Sequence, residues 1–398
     1  MKMATYKIKD ICDVINGRAY LQPELQKTGK YRILRVGNFF SSDRWYYSDM
    51  ELTDNKYCCE GDLLFAWSAS FGPKIWHGEK TIYHYHIWKM VPHEEVDKYY
   101  LYYWLRMSVD NLTAGTHGSV MAHMTKNDME NFFIDLPDKK TQEGVAAILA
   151  TLDSKIECNA QINRNLEQQA QAIFKSWFVD FEPFGGAIPS EWQETHLSQI
   201  ADFVSGYSYK GNELQPSDCA MATIKNFDRN GGFRLDGFKE IVPSGKLKDV
   251  QQVDLFDILV AHTDLTQNAE VIGNTELILS KAGYKKLIMS MDLVKVVSKS
   301  GISKFLLASL LRSPQFKAHA LGYVNGTTVL HMSKSALPEY CFYFPTEWSS
   351  LEGISAALER MYHKMSQTIE ESQRLSTLRD TLLPKLMSGE IDVSEVEV

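Results

Sequence analysis

The chain has no run approaching ~18 consecutive apolar residues, so no membrane-spanning helix is expected. Its opening, MKMATYKIKD, carries no apolar stretch behind the lysines, so no secretory signal is expected either. Six cysteines, Cys12, Cys58, Cys59, Cys158, Cys219 and Cys341, show no C-x-x-C spacing and no disulfide framework. They read as reduced thiols of a cytoplasmic protein. There is no P-loop, which excludes an ATP-driven motor. There is no Gly-rich turn after a strand and no N/D-P-P-Y/F loop, which excludes a methyltransferase site. Pro137-Asp138 followed by Asp153-Ser154-Lys155 matches a PD-(D/E)xK nuclease formally. Asp153 and Lys155, however, fall in a helical heptad segment, whereas that metal site is built on adjacent strands. His84, His86 and His93 lack an acidic or cysteine partner at ligand spacing and read as ordinary strand histidines. The sequence therefore predicts no catalytic residue, no metal site and no enzyme activity of its own.

What is there is a duplicated globular protein. The 398 residues, 44% hydrophobic and 12% aromatic, suffice for two or three soluble domains. A net charge of −8 argues at first against a nucleic-acid partner. Much of the excess acid sits in residues 346–398, with 5 basic and 10 acidic residues. The larger segments are near neutral, so either could present a basic face.

The duplication is legible in paired phrases. AHMTK (122–126) returns as LHMSK (330–334), IKDICDVINGRAY (8–20) as LSQIADFVSGYSY (197–209), and VGNF (36–39) as IKNF (224–227). GDLLFAW (61–67) returns as FDILVAH (256–262), and KYYLYYWLR (98–106) as KFLLASLLR (304–312). The order is kept and the offset drifts from 189 to 209 residues, which marks loop insertions in the second copy. Each copy opens with a mixed α+β region. Strand-like runs GDLLFAW, IYHYHIWKMV, DILVAH and MDLVKVV precede a short helix, KYYLYYWLRMS or KFLLASLLRS.

Each copy then runs into a long helix. Leu149, Leu152, Ile156, Asn159, Asn163, Leu166, Ala170, Ile173 and Trp177 follow three- and four-residue steps, a heptad seam. Adding 209 gives Leu358, Met361, Met365, Thr368, Ser372, Leu375, Arg379, Leu382 and Leu386. Both seams are polar at the same two central steps. Asn159 and Asn163 are either a solvated patch or a central layer against Thr368 and Ser372 in an antiparallel pair, and we favour the layer, which would fix register. Arg379 is expected to snorkel at the seam edge. Pro384 is expected to kink or end the second helix, with Gly389 as a stop.

At this point the chain resembles the specificity (S) subunits of type I restriction–modification systems. The segment FFIDLPDKKTQEGVAAILATLDSKIECNAQINRNLEQQAQAIFKSWF (132–178) looks like that family's central conserved helix. LERMYHKMSQTIEESQRLSTLRDTLLPKLMSGEI (358–391) looks like its distal one. YRILRVGNFF, GDLLFAW and the twin HM-T/S-K segments resemble the framework of its target recognition domains. The resemblance implies an α+β fold with two pseudo-symmetric recognition domains, 1–137 and 184–345. Two helical regions, 138–183 and 346–398, would join them as an antiparallel coiled coil. It implies a subunit without chemistry or cofactor that reads a split sequence in double-stranded DNA, one domain per half-site. Two methyltransferase subunits would bind S-adenosylmethionine, and restriction subunits, where present, would use ATP and Mg. A helix of about 33 residues is ~50 Å long, or about 15 base pairs of rise, a length suited to spacing two readers. The alternatives are a tandem coiled-coil scaffold that binds proteins and not DNA, or a nuclease using Asp138, Asp153 and Lys155.

Framework residues should repeat between copies, whereas base readers should diverge. Candidate readers in the first copy are Arg35, Trp67, Ser68, Ser70 and Lys74, beside Asn38. In the second they are Lys225, Arg229, His262, Thr263, Gln267 and Asn268, beside Asn226. Arg18, Tyr20, Tyr207, Tyr209 and Lys210 follow matched glycines and suit phosphates. In the twin phrase, Gly118 and Gly326 would allow close backbone approach and Met124 and Met332 would pack inside. Ser119, His123 and Lys126, and Thr327, Thr328, His331 and Lys334, would supply donors.

Overall fold

In a computed structural model the duplication is a duplication of strand order. The structure describes residues 3–40, 44–68, 70–114, 124–229, 231–266 and 268–393. They form two units, Met1–Lys155 with Leu375–Val398, and Ile156–Arg374.

The first unit carries an antiparallel sheet in the order Cys12–Asn16, Ile87–Pro92, Leu63–Ser68, Ser70–Ile75. A second sheet runs Tyr46–Ser48, Tyr31–Leu34, Thr81–Tyr83, Tyr57–Cys58, and its central pair is parallel. The second unit repeats both. One sheet runs Ala201–Ser205, Leu293–Ser298, Ile258–Ala261, Thr275–Leu277. The other runs Lys239–Glu240, Cys219–Ala222, Lys286–Met289, Gln252–Val253, again with a parallel central pair. Each unit also pairs its first and last strands: Ala4–Lys7 with Phe133–Leu136, and Trp192–His196 with Cys341–Pro345. A third sheet of the second unit joins Thr263–Asp264, Leu330–Met332 and Val324–Asn325.

The run IYHYHIWKMV is two strands, not one. Thr81–Tyr83 belongs to one sheet and Ile87–Pro92 to the other. His84, bridged to Arg18, leads into the turn at Tyr85 and His86 where the chain changes sheets, and His93 follows Pro92, so none of the three histidines lies inside a strand. The helix after the sheets also differs between copies. In the first it runs unbroken over Lys98–Ala114. In the second it stops at Leu311, and Pro314 starts a new helix, Pro314–Leu321, capped by the Ser313 side chain accepting from the Phe316 amide.

The two long helices are Lys139–Phe178 and Glu352–Ser388. Asp138 caps the first, accepting from the Thr141 amide at 3.1 Å and the Thr141 hydroxyl at 2.8 Å. These bonds hold its carboxyl below the usual range. Pro384 lies inside the second helix without ending it. The helix runs one more turn beyond it, although proline there removes one amide hydrogen bond and crowds the carbonyl four residues back. The stop is Gly389, in the left-handed region at φ 76°, with the Ile391 amide closing on the Lys385 carbonyl at 3.2 Å.

Each unit holds its own stretch of the helix pair. In the first, Val145, Ala146 and Leu149 share a core with Leu383, Leu386, Met387 and the sheet residues Phe65, Trp88 and Met90. In the second, Ala170 and Phe174 share a core with Leu358, Tyr362, Met365, Ile258 and Val296. Along the heptad seam Leu149, Asn159, Ala170, Leu358, Met365, Thr368, Arg379 and Leu386 are buried and the other positions half-buried, while the outer faces are mostly polar, the pattern that packing against a core requires.

Candidate nucleic-acid interface

The matched arginines of the short helices tie sheet region to helix pair within each unit. Arg106 lies 3.6 Å from Asp153 and 3.7 Å from Asp380. Arg312 is buried between Glu167, at 3.0 Å, and Glu276, at 3.2 Å. Burial pushes the Glu276 carboxyl above its ordinary value, against the pull of Arg312. Arg379 does not snorkel. It is buried, with Nη1 donating to Asp153 Oδ1 at 2.5 Å and Nη2 beside Asp380 at 2.9 Å. The Tyr103 hydroxyl donates to the other Asp153 oxygen at 2.7 Å. Asp153 is therefore saturated by structural partners and Asp138 is a helix cap, which leaves the nuclease pattern no metal site. Among the described residues no three His, Cys, Asp or Glu side chains are grouped to hold a metal.

The central polar residues of the helices meet in the second unit. Asn159 Nδ2 donates to Glu371 Oε2 at 2.9 Å and Ser372 Oγ at 3.2 Å. The Thr368 hydroxyl donates to Asn163 Oδ1. Asn159 is fully buried, and its Oδ1 has no partner among the described residues. Pairing 159 with 372 and 163 with 368 is an antiparallel register.

Several residues read as DNA contacts are committed to the framework. Arg18 forks onto Glu24 at 2.7 and 3.1 Å and lies 5.0 Å from the Tyr20 ring. Tyr20 packs against the core, with a buried hydroxyl that has no partner among the described residues. Tyr207 occupies the place of Arg18 and is buried, with its hydroxyl donating to Glu213 at 2.6 Å. Glu24 and Glu213 also accept from the amides of Leu21 and Lys210, and these donors hold the Glu213 carboxyl at about 2. This repeated glutamate was missed in the sequence, although its offset of 189 is that of the matched glycines. Asn226 is fully buried and bonded to the Thr223 amide and the Arg234 carbonyl. Asn38 likewise bonds the Arg35 amide and the Arg44 carbonyl. Thr263 is buried and donates to Asp292 at 3.0 Å. Ser68 is buried, and Lys74 donates to the Phe39 carbonyl at 2.9 Å. Arg229 is paired with Glu270 at 3.2 Å and Lys126 with Glu130 at 3.2 Å, pairs that a phosphate would have to displace.

Others remain presented to solvent. Arg35 and Ser70 are exposed in the first unit, and Arg35 lies 5.3 Å from the Tyr46 ring. Trp67 is half-buried, with Nε1 donating to the Tyr85 carbonyl at 2.8 Å. In the second unit Lys210, Lys225, Asn268, Thr327, Thr328, His331 and Lys334 are exposed, and Tyr209 is half-buried. The third sheet gathers some of them, pairing Thr263 with His331 and placing His262 near His331 and Lys334. Burial foremost, with the neighbouring His331 and Lys334, holds the His262 imidazole below its ordinary value. Met124 and Met332 are buried, and Gly326 sits at φ 120°, where a Cβ would lie 2.3 Å from the Val329 carbonyl. Gly118, Ser119, His123 and Gln267 lie outside the described residues.

Comparison with known proteins gives consistent results. Residues 1–168 match the family model of the type I restriction modification DNA specificity domain. The type I restriction enzyme HindI specificity subunit of Haemophilus influenzae is 25% identical over 342 residues, 70% of this chain and 73% of that one. The MjaVIII specificity subunit of Methanocaldococcus jannaschii is 25% identical over 356 residues, 85% and 80% of the two chains. In fold, the crystal structure of a type I restriction–modification S subunit from M. genitalium matches with a TM-score of 0.59 at 15% identity. The match covers 97% of this chain and 96% of that one.

Proposed function

We infer that this chain, by sequence and fold a specificity subunit of a type I restriction–modification system, reads a split sequence in double-stranded DNA with one sheet region per half-site. The observation that carries this reading is the same pair of sheets built twice, each packed on its own unit's stretches of the long helices, in a fold matched to an S subunit over 97% of the chain. The subunit is non-catalytic. Methyl transfer resides in partner subunits, which we place at two methyltransferases binding S-adenosylmethionine. Restriction subunits would bring ATP and Mg, and the complex works in the cytoplasm. To DNA contact we assign Arg35, Ser70 and Trp67 in the first unit, and Lys210, Lys225, Asn268, Thr328, His331 and Lys334 in the second, on the ground that all but the half-buried Trp67 are exposed. The protein-scaffold alternative has no observation in its favour.

Co-expression with the neighbouring methyltransferase tests the reading. Genome-wide mapping should find methylated adenines in a single motif of two short half-sites with an unread gap, and neither protein alone should methylate. Methylation without sequence preference, or methyl transfer by the purified chain alone, would overturn it.

A further inference from the structure

The turn His84–Tyr85–His86 has a counterpart in Ser290–Met291–Asp292, and the two backbones are held by the same bonds. The residue 18 amide donates to the Tyr83 carbonyl at 3.0 Å, and the residue 207 amide to the Met289 carbonyl at 2.7 Å. The Tyr85 amide donates to the Arg18 carbonyl at 3.0 Å, and the Met291 amide to the Tyr207 carbonyl at 2.9 Å. Ile87 closes on His84 at 2.9 Å, and Leu293 on Ser290 at 3.0 Å. The last residue of each turn accepts from the end of a central strand: His86 from Trp67 at 3.1 Å, and Asp292 from His262 at 2.8 Å. A glycine backs each turn. A Cβ at Gly17 would lie 2.3 Å from the His84 carbonyl oxygen, and one at Gly206 1.9 Å from that of Ser290. No side chain fits there, so the glycines that the sequence repeats are what let the turn sit against the preceding strand.

On this shared frame the side chains diverge completely. The central residue is exposed in both copies, Tyr85 by 38% and Met291 by 56%. Both present a large side chain to solvent at the turn. The Tyr85 ring packs on His86 at 3.9 Å and His84 at 4.6 Å, while its hydroxyl has no hydrogen-bond partner among the described residues. Trp67, stacked on Trp88 at 5.5 Å, props the turn from beneath through its bond to the Tyr85 carbonyl. In the second unit Asp292 bonds Thr263 and Ser290, which fixes the turn and leaves Met291 outermost.

We propose that this turn is the variable reading element of each unit, with Tyr85 and Met291 each contacting a base edge of its own half-site. The proposal rests on the DNA-reading function above and names the residues that make the two half-sites differ. A tyrosine offers a hydroxyl and a ring face to a base. A methionine offers no hydrogen bond of comparable strength and suits a thymine methyl or an opened base step.

The test uses the complex reconstituted with its methyltransferase partner. The site is first defined by genome methylation mapping. Methylation is then measured on duplex oligonucleotides carrying every single-base change. Tyr85→Ala should lose about tenfold of its discrimination at one or two positions of one half-site and none in the other. Met291→Ala should do the same in the opposite half. Tyr85→Met, which keeps an apolar side chain of the other copy's type, serves if the alanine variant lowers the melting temperature. It should change the preferred base at the same position. Discrimination unchanged at every position, or methylation lowered equally on all duplexes, would overturn the inference and leave the proposed function standing. A wild-type complex without sequence preference would instead overturn the proposed function.

Discussion

Arg106 and Arg312 occupy matched places in the two copies, yet their surroundings differ. Arg106 is about one-third exposed and its carboxylates lie beyond hydrogen-bond reach. Arg312 is one-tenth exposed and is the positive charge between Glu167 and Glu276, whose own exposure is 5%. Glu276 also accepts from the Gly232 amide at 2.7 Å, so the arginine supports the loop that carries Arg229 as well as the helix. Removing it strands two carboxylates in a region of low dielectric. Arg312→Ala is expected to destabilise by ~3–5 kcal/mol and Arg106→Ala by ~0–1 kcal/mol, read as shifts of the urea midpoint. Adding Glu276→Gln to Arg312→Ala should recover part of the loss, because it removes one stranded charge. The sequence shows both arginines but not this asymmetry, since burial is set by residues such as Tyr362 and Glu167 that are distant along the chain. The same holds for Arg18 and Tyr207. Both looked like phosphate ligands after a glycine, and both are donors to a glutamate whose role only the folded turn reveals.

At the scale of elements, the helices were the most legible part, because a heptad period survives in one dimension. Their ends were less so. Pro384 sits within the helix, where neighbouring turns tolerate its missing amide. The strands were legible as apolar runs but not in their breaks. Nothing local in IYHYHIWKMV marks the change of sheet, which depends on the close approach of Gly17. The polar layer on the helix pair can be probed directly. Asn159 is fully buried with its amide oxygen unpartnered among the described residues, a cost that leucine would remove. The Thr368 hydroxyl also lies 3.0 Å from the Lys364 carbonyl and 2.9 Å from that of Met365, so its one proton can turn to either and losing Asn163 would not orphan it. Replacing Asn159 and Asn163 together by leucine should raise the melting temperature, by an amount corresponding to ~1 kcal/mol. It should also make unfolding less cooperative, as competing registers become available. A lower melting temperature with an equally sharp transition would mean that the amides contribute net stability, and the register argument would fail.

Across the whole chain, duplication predicts modularity, and the structure indicates where a cut is tolerable. The strand Phe133–Leu136 pairs with Ala4–Lys7, and the first long helix starts at Lys139. A junction after Pro137 therefore keeps the terminal strand pair of the first sheet region intact. The replacement must bring compatible surfaces. Tyr103 and Arg106 engage Asp153, and the core around Phe65 and Trp88 closes on Val145, Leu149, Leu383 and Leu386. A donor that keeps a tyrosine and an arginine three residues apart on its short helix, and apolar residues facing those four, should fold on the recipient helices. One that does not would leave Asp153 with only Arg379 and expose apolar helix surface. For a compatible donor, exchange of residues 1–137 is expected to replace one half of the methylated motif and leave the other half unchanged, as read by methylation mapping in the host genome. The second unit carries its own sheets, its own turn at Met291 and its own stretch of the helix pair, so nothing it needs for reading is removed. If both halves changed together, the two units would not read independently, and a repeated fold would not mean repeated recognition.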